Sequence, residues 1–474
     1  MTHKMIYPVI LSGGAGKRLW PLSTKDQPKQ FHPLYSDKPI IVETALRFQG
    51  ETFAPASVIC SHAHRFHVAS TFEDEKVCLN DIIIEPEAKN TAAAVYVAAK
   101  TVYNRNPDGI VLILPSDHYI PEKESIRTAV IKASEFCDDK TLITFGIKPD
   151  RPETGYGYIK AGTSIDKSVV PVDEFVEKPD RETAQSYIDD GHYYWNAGIF
   201  LASAKALLKA YVALCPEIAD FAGESVHKAT KDLDFLRLDP ASFAKLSSIS
   251  FDYAIMEKHP HTAVMPLKLQ WNDLGSWQAL YDIADKDKDG NVVKGNILTL
   301  NTKNSYLRSS NDRSVAVMGA EDLIVISSQN AVVVSHKDSV QDIKHVYEEL
   351  EKINCPSMHS TIKRQPWGYA KTLVKGDLFC AKEIMLEPHE KTASQIHKLR
   401  SEHWVVIEGE ATITLDGIDH TLQKGQSITA HANVPHTITN DTEQNLVLFE
   451  VQNGDIDEDD TLRIIEGGKT QSLL

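Results

Sequence analysis

The stretch Ile6-Tyr7-Pro8-Val9-Ile10-Leu11-Ser12-Gly13-Gly14-Ala15-Gly16-Lys17-Arg18-Leu19-Trp20-Pro21 opens on an apolar run and closes on a glycine-rich, cationic loop. A short apolar run stopped by glycines reads as a buried strand. Ser57–Cys60, Ile82–Ile84, Ile110–Leu114 and Leu142–Ile147 repeat the pattern, and Thr91–Lys100 between them is rich in good helix formers. Strands of this kind alternating with helices predict an α/β domain with a mostly parallel sheet covered on both faces. In such sheets ligands bind beyond the carboxyl ends of the strands, so the loop at 12–18 is where chemistry is expected.

Glycines after a first strand let backbone N–H groups approach phosphates closely. A Walker A loop would need Gly at 11 and Ser or Thr at 18, where Leu11 and Arg18 stand, and a dinucleotide fingerprint from Gly14 would need Gly where Leu19 stands. What remains is a glycine loop whose Lys17 and Arg18, with Lys29 of Pro28-Lys29-Gln30-Phe31, can gather around a triphosphate and neutralise charge as it is split. The plainer alternative is a tight turn with solvated basic residues.

The 474 residues carry a formal net charge of −16, from 50 Lys and Arg against 66 Asp and Glu. That balance argues against a nucleic-acid partner, which needs basic surface, while leaving room for one small anion held by a local cluster. Six cysteines without a CxxC pair predict reduced, buried thiols in a cytoplasmic protein. The apolar run Met5–Leu11 is too short for a signal peptide, and no run approaches the length of a membrane span.

Three regions are expected. Residues 1–285 carry the alternating pattern. Residues 286–353 read as a small β module with short strands near 315–317, 323–326 and 331–334, followed by a charged helix over Val340–Lys352. After a linker at Asn354–Ser357, residues 362–474 are nearly all short strands with Gly, Asp and Asn turns, the texture of a small barrel or jelly roll. The acidic stretch Asp455–Asp460 reads as a solvated loop. The strands at 315–334 offer a place for pairing between subunits and leave a homodimer open.

The loop, together with Pro28-Lys29-Gln30-Phe31, resembles the sugar nucleotidylyltransferases, and the Phe31 ending resembles the mannose-1-phosphate guanylyltransferases among them. Further matches follow in order: Glu85-Pro86 with Asn90-Thr91-Ala92, Leu114–His118, Pro152–Tyr158, Phe175–Pro179, Trp195–Phe200, Asp252–Glu257 and Trp271–Trp277. Ala15 and Lys17 depart from the Ser and Thr common there. The resemblance implies a Rossmann-like, mixed-sheet domain that transfers GMP from GTP to mannose 1-phosphate, giving GDP-mannose and pyrophosphate. On this resemblance Ser12, Gly13, Gly14, Gly16, Lys17 and Asn90 bind the nucleotide, and Arg18, Lys29, Asp117 and Asp273 carry the chemistry. Asp117 and Asp273 hold Mg²⁺, and Gly155, Gly157, Glu177, Lys178 and Asn196 take the sugar phosphate. The choice of guanine rests on the resemblance alone.

Near the C-terminus, Gln395 and His397 are two apart, so in a strand they share a face, with Glu402 arriving from the next strand. A second segment, Gly425–Asn440, offers His431, Pro435 and His436. The two segments resemble paired cupin motifs, with His431 and Asn433 where Pro and Gly are usual. On that resemblance Gln395, His397, Glu402 and His436 form a donor set suited to Zn²⁺ or another divalent transition metal. The run from Gln395 to Trp404 resembles the mannose-6-phosphate isomerase domain of two-activity enzymes. That implies interconversion of fructose 6-phosphate and mannose 6-phosphate, with Arg400 holding charge on the substrate and His403 as a buried, hydrogen-bonded residue. The alternative is a guanylyltransferase whose cupin is structural or regulatory. A binding protein that senses sugar nucleotides without turnover is disfavoured by the two dispersed carboxylates.

Overall fold

A computed structural model describes residues 4–14, 16–162, 168–310, 313–353, 355–456, 461–465 and 469–472. The chain forms two compact units, Met1–Met358 and His359–Leu474.

In the first unit the apolar runs become β1 (Ile6–Ser12), β2 (Ser57–Ser61), β3 (Asp81–Glu85), β4 (Ile110–Pro115) and β5 (Leu142–Ile147). β4, β1, β2 and β3 lie side by side and parallel, with their carboxyl ends on one edge. Alternate residues face opposite sides of the sheet. Ile10, Val58 and Ile82 thus enter one core, and Val9, Ile59 and Ile83 the other, under the alanine-rich helix Asn90–Arg105.

The sheet is less parallel than the apolar pattern alone predicts, and it is mixed, as the family resemblance implies. β6 (Tyr158–Ala161), β7 (Val170–Val176) and the long β8 (Tyr193–Ser203) join it, and β8 runs antiparallel to both β4 and β5. With β9 (Thr230–Asp232), β10 (Phe235–Arg237) and β11 (Thr262–Leu267) it is a mixed sheet of 11 strands. β8, which carries Asn196, links the β4 edge of the parallel half to β5 and β6.

The module that follows repeats short parallel strands. Val292–Lys294, Tyr306–Ser309 and Leu323–Ser327 align in one sheet, and Ile297–Leu300 pairs with Val315–Met318 in another. The helix expected from Val340 is regular over Ile343–Lys352, after a 3-10 turn at Lys337–Asp342. Leu19 and Trp20 of the glycine loop share one apolar core with Trp277, Tyr306, Ile324 and Tyr347, so the module and its helix are packed onto that loop.

The second unit is all β. Two six-stranded sheets, one containing Arg400–Glu408 and the other Gln395–His397 and His436–Thr439, pair antiparallel throughout the described strands. Trp404, Val406, Ile413, Ile438 and Leu448 fill the space between them. Residues 457–460 of the acidic stretch, Ala15 and Asn354 lie outside the described residues.

All six cysteines are free thiols, but the expectation that they are buried holds for Cys60, Cys137 and Cys380 only. Cys78 is exposed, because its short segment runs over the surface between a helix and β3. Among the described residues no helix is long and apolar enough to cross a membrane.

Two candidate active sites

The first site lies at the carboxyl edge of the parallel strands. Ser12 ends β1 and is buried, its hydroxyl accepting a hydrogen bond from Gln30 Nε2 at 3.2 Å. Gly13 and Gly14 have open space where a side chain would be, so a ligand can approach their backbone. Gly16 has φ +59°, and a Cβ there would lie 2.5 Å from Ser23 Oγ, which only glycine avoids. Lys17, Arg18 and Leu19 form a 3-10 turn.

A cavity of about 310 Å³ brings these glycines together with Lys17, Arg18, Lys29, Asp117, Asp273 and Lys344. Lys29 Nζ stands 2.9 Å from Asp117 Oδ2 and donates to the Asp273 carbonyl at 2.8 Å. Burial alone would push the Asp117 carboxyl up, but Lys29 and His118 hold it below its ordinary value. Asp273 Oδ1 accepts from the Tyr156 hydroxyl at 2.8 Å and from the Gly275 amide at 3.1 Å. Burial, and then Asp273 itself, raise the Tyr156 phenol and keep it a donor. Arg18 is exposed beside the cavity. Lys17 also lines it, yet its ammonium is engaged 3.2 Å from Glu351 Oε2.

A second cavity of about 440 Å³ continues from Gly13, Gly14 and Asp117 along β1 and the helix Asn90–Arg105, lined by Ser12, Glu85, Asn90, Thr91, His118 and Asp252. Asn90, at φ +61°, opens that helix and is exposed, its Oδ1 accepting from the Thr91 amide at 2.9 Å. Glu85 ends β3. Burial pushes its carboxyl up to about 8, and its Oε1 meets no donor among the described residues.

The residues expected at the sugar phosphate cluster around β8. Asn196 Nδ2 donates to Asp252 Oδ1 at 2.9 Å, and its Oδ1 accepts from Thr144 Oγ1 at 2.9 Å and the Gly198 amide at 3.2 Å. A Cβ on Gly157 would fall 2.6 Å from Glu177 Oε2, which explains the glycine there. Lys178, at φ +49°, leaves its ammonium largely exposed and 2.8 Å from Glu177 Oε1. Gly155 donates its amide to Glu153 Oε1 at 3.1 Å and is exposed. Burial, then the Glu177 charge, raise Asp252 to about 6.

Glu85, Tyr156, Asp252 and Lys344 were not assigned from sequence. Glu85, Tyr156 and Asp252 stand inside the quoted motifs, and a carboxylate ending an apolar strand was the available signal for Glu85. Lys344 had none, since it comes from the charged helix of the following module.

The second site is inside the β unit. His397, Glu402 and His436 are buried, and one ligand atom of each lies within 4.8 Å of the others. His397 Nε2 is 3.1 Å from Glu402 Oε1, and His436 Nε2 is 3.3 Å from Glu402 Oε2. Glu402 Oε2 and His436 Nε2 nevertheless form no hydrogen bond. The His436 Nδ1 lies 3.0 Å from the Val434 carbonyl, which fixes the proton on that nitrogen and turns the Nε2 lone pair inward. Gln395 lies on the strand paired with His436 and, with Arg400 and Glu402, lines a cavity of about 230 Å³.

Arg400, buried, donates from Nε to Glu402 Oε1 at 3.0 Å, an ion pair within the cluster. Gln452 Nε2 bridges Glu402 Oε1 at 2.9 Å and Glu450 Oε1 at 2.8 Å. The half-buried His403 pairs through Nδ1 with Thr429 Oγ1 at 2.8 Å. Asn433 takes φ +67° where glycine is usual, so the turn before His436 keeps its left-handed residue.

A nucleotidyl transferase family model matches residues 7–290. A MannoseP isomerase/GMP-like beta-helix domain matches 295–350, and a mannose-6-phosphate isomerase C-terminal model matches 351–466. The xanthan biosynthesis protein XanB of Xanthomonas campestris is 38% identical over 461 residues, covering 97% of this chain and 98% of its own. A mannose-1-phosphate guanylyltransferase of Escherichia coli is 36% identical over 475 residues, covering 98% and 99%. The crystal structure of a mannose-1-phosphate geranyltransferase from Thermus thermophilus superposes with a TM-score of 0.65 at 28% identity, covering 73% of this chain and 99% of that one.

Proposed function

We infer the activity from one premise: the chain belongs to the nucleotidyl transferase family, and within it to the mannose-1-phosphate guanylyltransferases. It transfers GMP from GTP to mannose 1-phosphate, releasing pyrophosphate, and its C-terminal domain interconverts fructose 6-phosphate and mannose 6-phosphate.

The observation that carries the first activity is Lys29, whose ammonium joins the Asp117 carboxylate to the Asp273 backbone in one cavity with the glycine loop. A phosphate oxygen of mannose 1-phosphate attacks the α-phosphorus of GTP, and the bond to the β-phosphate oxygen breaks. The nucleophile is already an anion, so positioning and charge neutralisation dominate over base catalysis. Lys29 and Arg18 supply fixed positive charge, and the amides of Gly13 and Gly14 are open to phosphate oxygens. Glu85, on giving up its proton as the base binds, offers two acceptor oxygens to the N1–H and N2–H donors of guanine. Lys178, Glu177 and Asn196 serve the sugar phosphate.

Asp117 and Asp273 fit Mg²⁺ by donor chemistry. Each keeps one carboxylate oxygen, Oδ1 and Oδ2 respectively, with no side-chain hydrogen-bond donor among the described residues. Held there, Mg²⁺ would supply neutralisation of phosphate charge. In the β unit, Glu402 Oε2 and His436 Nε2 are buried acceptors aimed at each other, which fits a cation, with His397 and Gln395 completing the set. A zinc or similar ion held by these residues would supply Lewis-acid polarisation of the sugar carbonyl. Arg400, Lys382 and Lys375, all lining that cavity, counter the substrate phosphate.

The test is pyrophosphate release with each of the four nucleoside triphosphates and several sugar 1-phosphates, alongside a coupled isomerase assay of the full chain and of His397→Ala. GTP with mannose 1-phosphate should give the highest kcat/KM, and isomerisation should be lost in the variant. A different preferred pair overturns the first assignment. Isomerisation retained in His397→Ala overturns the metal assignment, and a metal-loaded wild type without isomerase activity leaves the cupin structural or regulatory.

A further inference from the structure

The helix Ile343–Lys352 belongs to the module after the nucleotidyl domain, yet it lies within the same compact unit and against the 3-10 turn of the glycine loop. Lys344, Tyr347 and Glu351 are three and four residues apart, so they share one helix face. Glu351 takes the Lys17 ammonium at 3.2 Å through Oε2 and pairs with Lys25 through Oε1. Tyr347 is buried with its ring 5.0 Å from Lys17 Nζ. Trp20 Nε1, just past the turn, donates to the Ser357 carbonyl at 3.3 Å. The third member of the face, Lys344, lines the cavity that holds Gly13, Gly14, Arg18, Lys29, Asp117 and Asp273. Its side chain is 52% exposed and its nearest acid, Glu348 Oε1, is 3.7 Å away.

The charges are thus rearranged relative to the loop sequence. Lys17 is neutralised by a carboxylate from the helix, and the same helix brings in a different cation. Lys344 lines the phosphate cavity but not the neighbouring one that contains Glu85 and Asn90. It therefore lies on the side of the glycine loop away from Glu85 and Asn90.

We propose that Lys344 is a phosphate-binding residue of the guanylyltransferase, contacting the β- and γ-phosphates that leave as pyrophosphate, and that Glu351 is a positioning residue that docks its helix on Lys17. The proposal rests on the guanylyltransferase reading. GDP-mannose and mannose 1-phosphate lack the departing phosphates, so Lys344 acts only on substrates that carry them.

The experiment is steady-state kinetics of full-length wild type, Lys344→Ala, Lys344→Arg and Glu351→Gln in both directions. Loss of one charged hydrogen bond corresponds to about tenfold or more in affinity. Lys344→Ala should raise KM for GTP and, in reverse, for inorganic pyrophosphate by about tenfold, while KM for mannose 1-phosphate and GDP-mannose stays within about twofold. Lys344→Arg should restore most of the loss. Glu351→Gln should shift the same two KM values in the same direction by less. Unchanged KM values, or an equal change for all four substrates, would overturn the proposal. A wild type inactive with GTP and mannose 1-phosphate would instead overturn the reading on which it rests.

Discussion

Lys29 and Asp117 form a contact of 2.9 Å between two parts of the chain that the sequence separates widely, and the same ammonium reaches the Asp273 carbonyl at 2.8 Å. One cation therefore fixes the spacing of both aspartate segments before any ligand arrives. Lys29→Met leaves Asp117 in a partly buried pocket without its partner and takes a positive charge from the phosphates. The expected result is a fall in kcat for pyrophosphate release of roughly 10²-fold or more, with isomerisation unchanged in the same preparation. Lys29→Arg should recover part of it. A variant with wild-type kcat would remove Lys29 from the chemistry.

Glu85 couples stability to pH. Its carboxyl is raised from 4.5 to about 8 by burial, so the folded protein keeps a proton that the unfolded chain releases. Its contribution is complete below pH 4.5 and is lost as pH rises through about 8. Glu85→Gln keeps a neutral side chain of the same shape and removes that slope. Its melting temperature should match wild type near pH 5 and exceed it near pH 9. The variant should also discriminate less between GTP and ATP. Superimposable pH profiles of melting would contradict the buried, protonated carboxyl.

Much of this site was legible in order but not in depth. The strand–glycine–cation stretch at 6–18 located the carboxyl edge, because a buried strand and a left-handed glycine leave local marks on sequence. The roles of Lys17 and Lys344 left none. They depend on where the helix Ile343–Lys352 packs, and its charged face looks like any solvated one. The mixed character of the sheet came from the family resemblance and not from the apolar pattern, because an apolar run does not show its direction and only the pairing of β8 with β4 and β5 reveals it. In the β unit period two is a local rule for Gln395 and His397, and the structure brings His397, Glu402 and His436 into one buried cluster. That Arg400 is ion-paired with Glu402 inside the cluster is a tertiary fact.

Gly16 tests the backbone of the loop. Its φ of +59° and the 2.5 Å approach of a Cβ to Ser23 Oγ make Gly16→Ala both strained and crowded. The expected cost is about 1–3 kcal/mol of stability by chemical denaturation, with a higher KM for GTP. An unchanged midpoint would show that the loop relaxes freely.

Glu402 tests the β unit. Glu402→Gln removes the negative charge that two imidazoles and Arg400 surround. Metal per chain, measured by elemental analysis after gel filtration, should drop by about tenfold or more, and isomerisation with it, while GMP transfer persists. Full metal content in the variant would exclude this cluster as the binding site.

The central claim is that Asp273, beside Lys29 and the glycine loop, serves guanylyl transfer and nothing else in the chain. Pyrophosphate release by Asp273→Asn at saturating GTP, mannose 1-phosphate and Mg²⁺, with isomerisation measured on the same sample, tests it most directly. Transfer should fall by at least about 10²-fold with isomerisation intact. Transfer at the wild-type rate would contradict it.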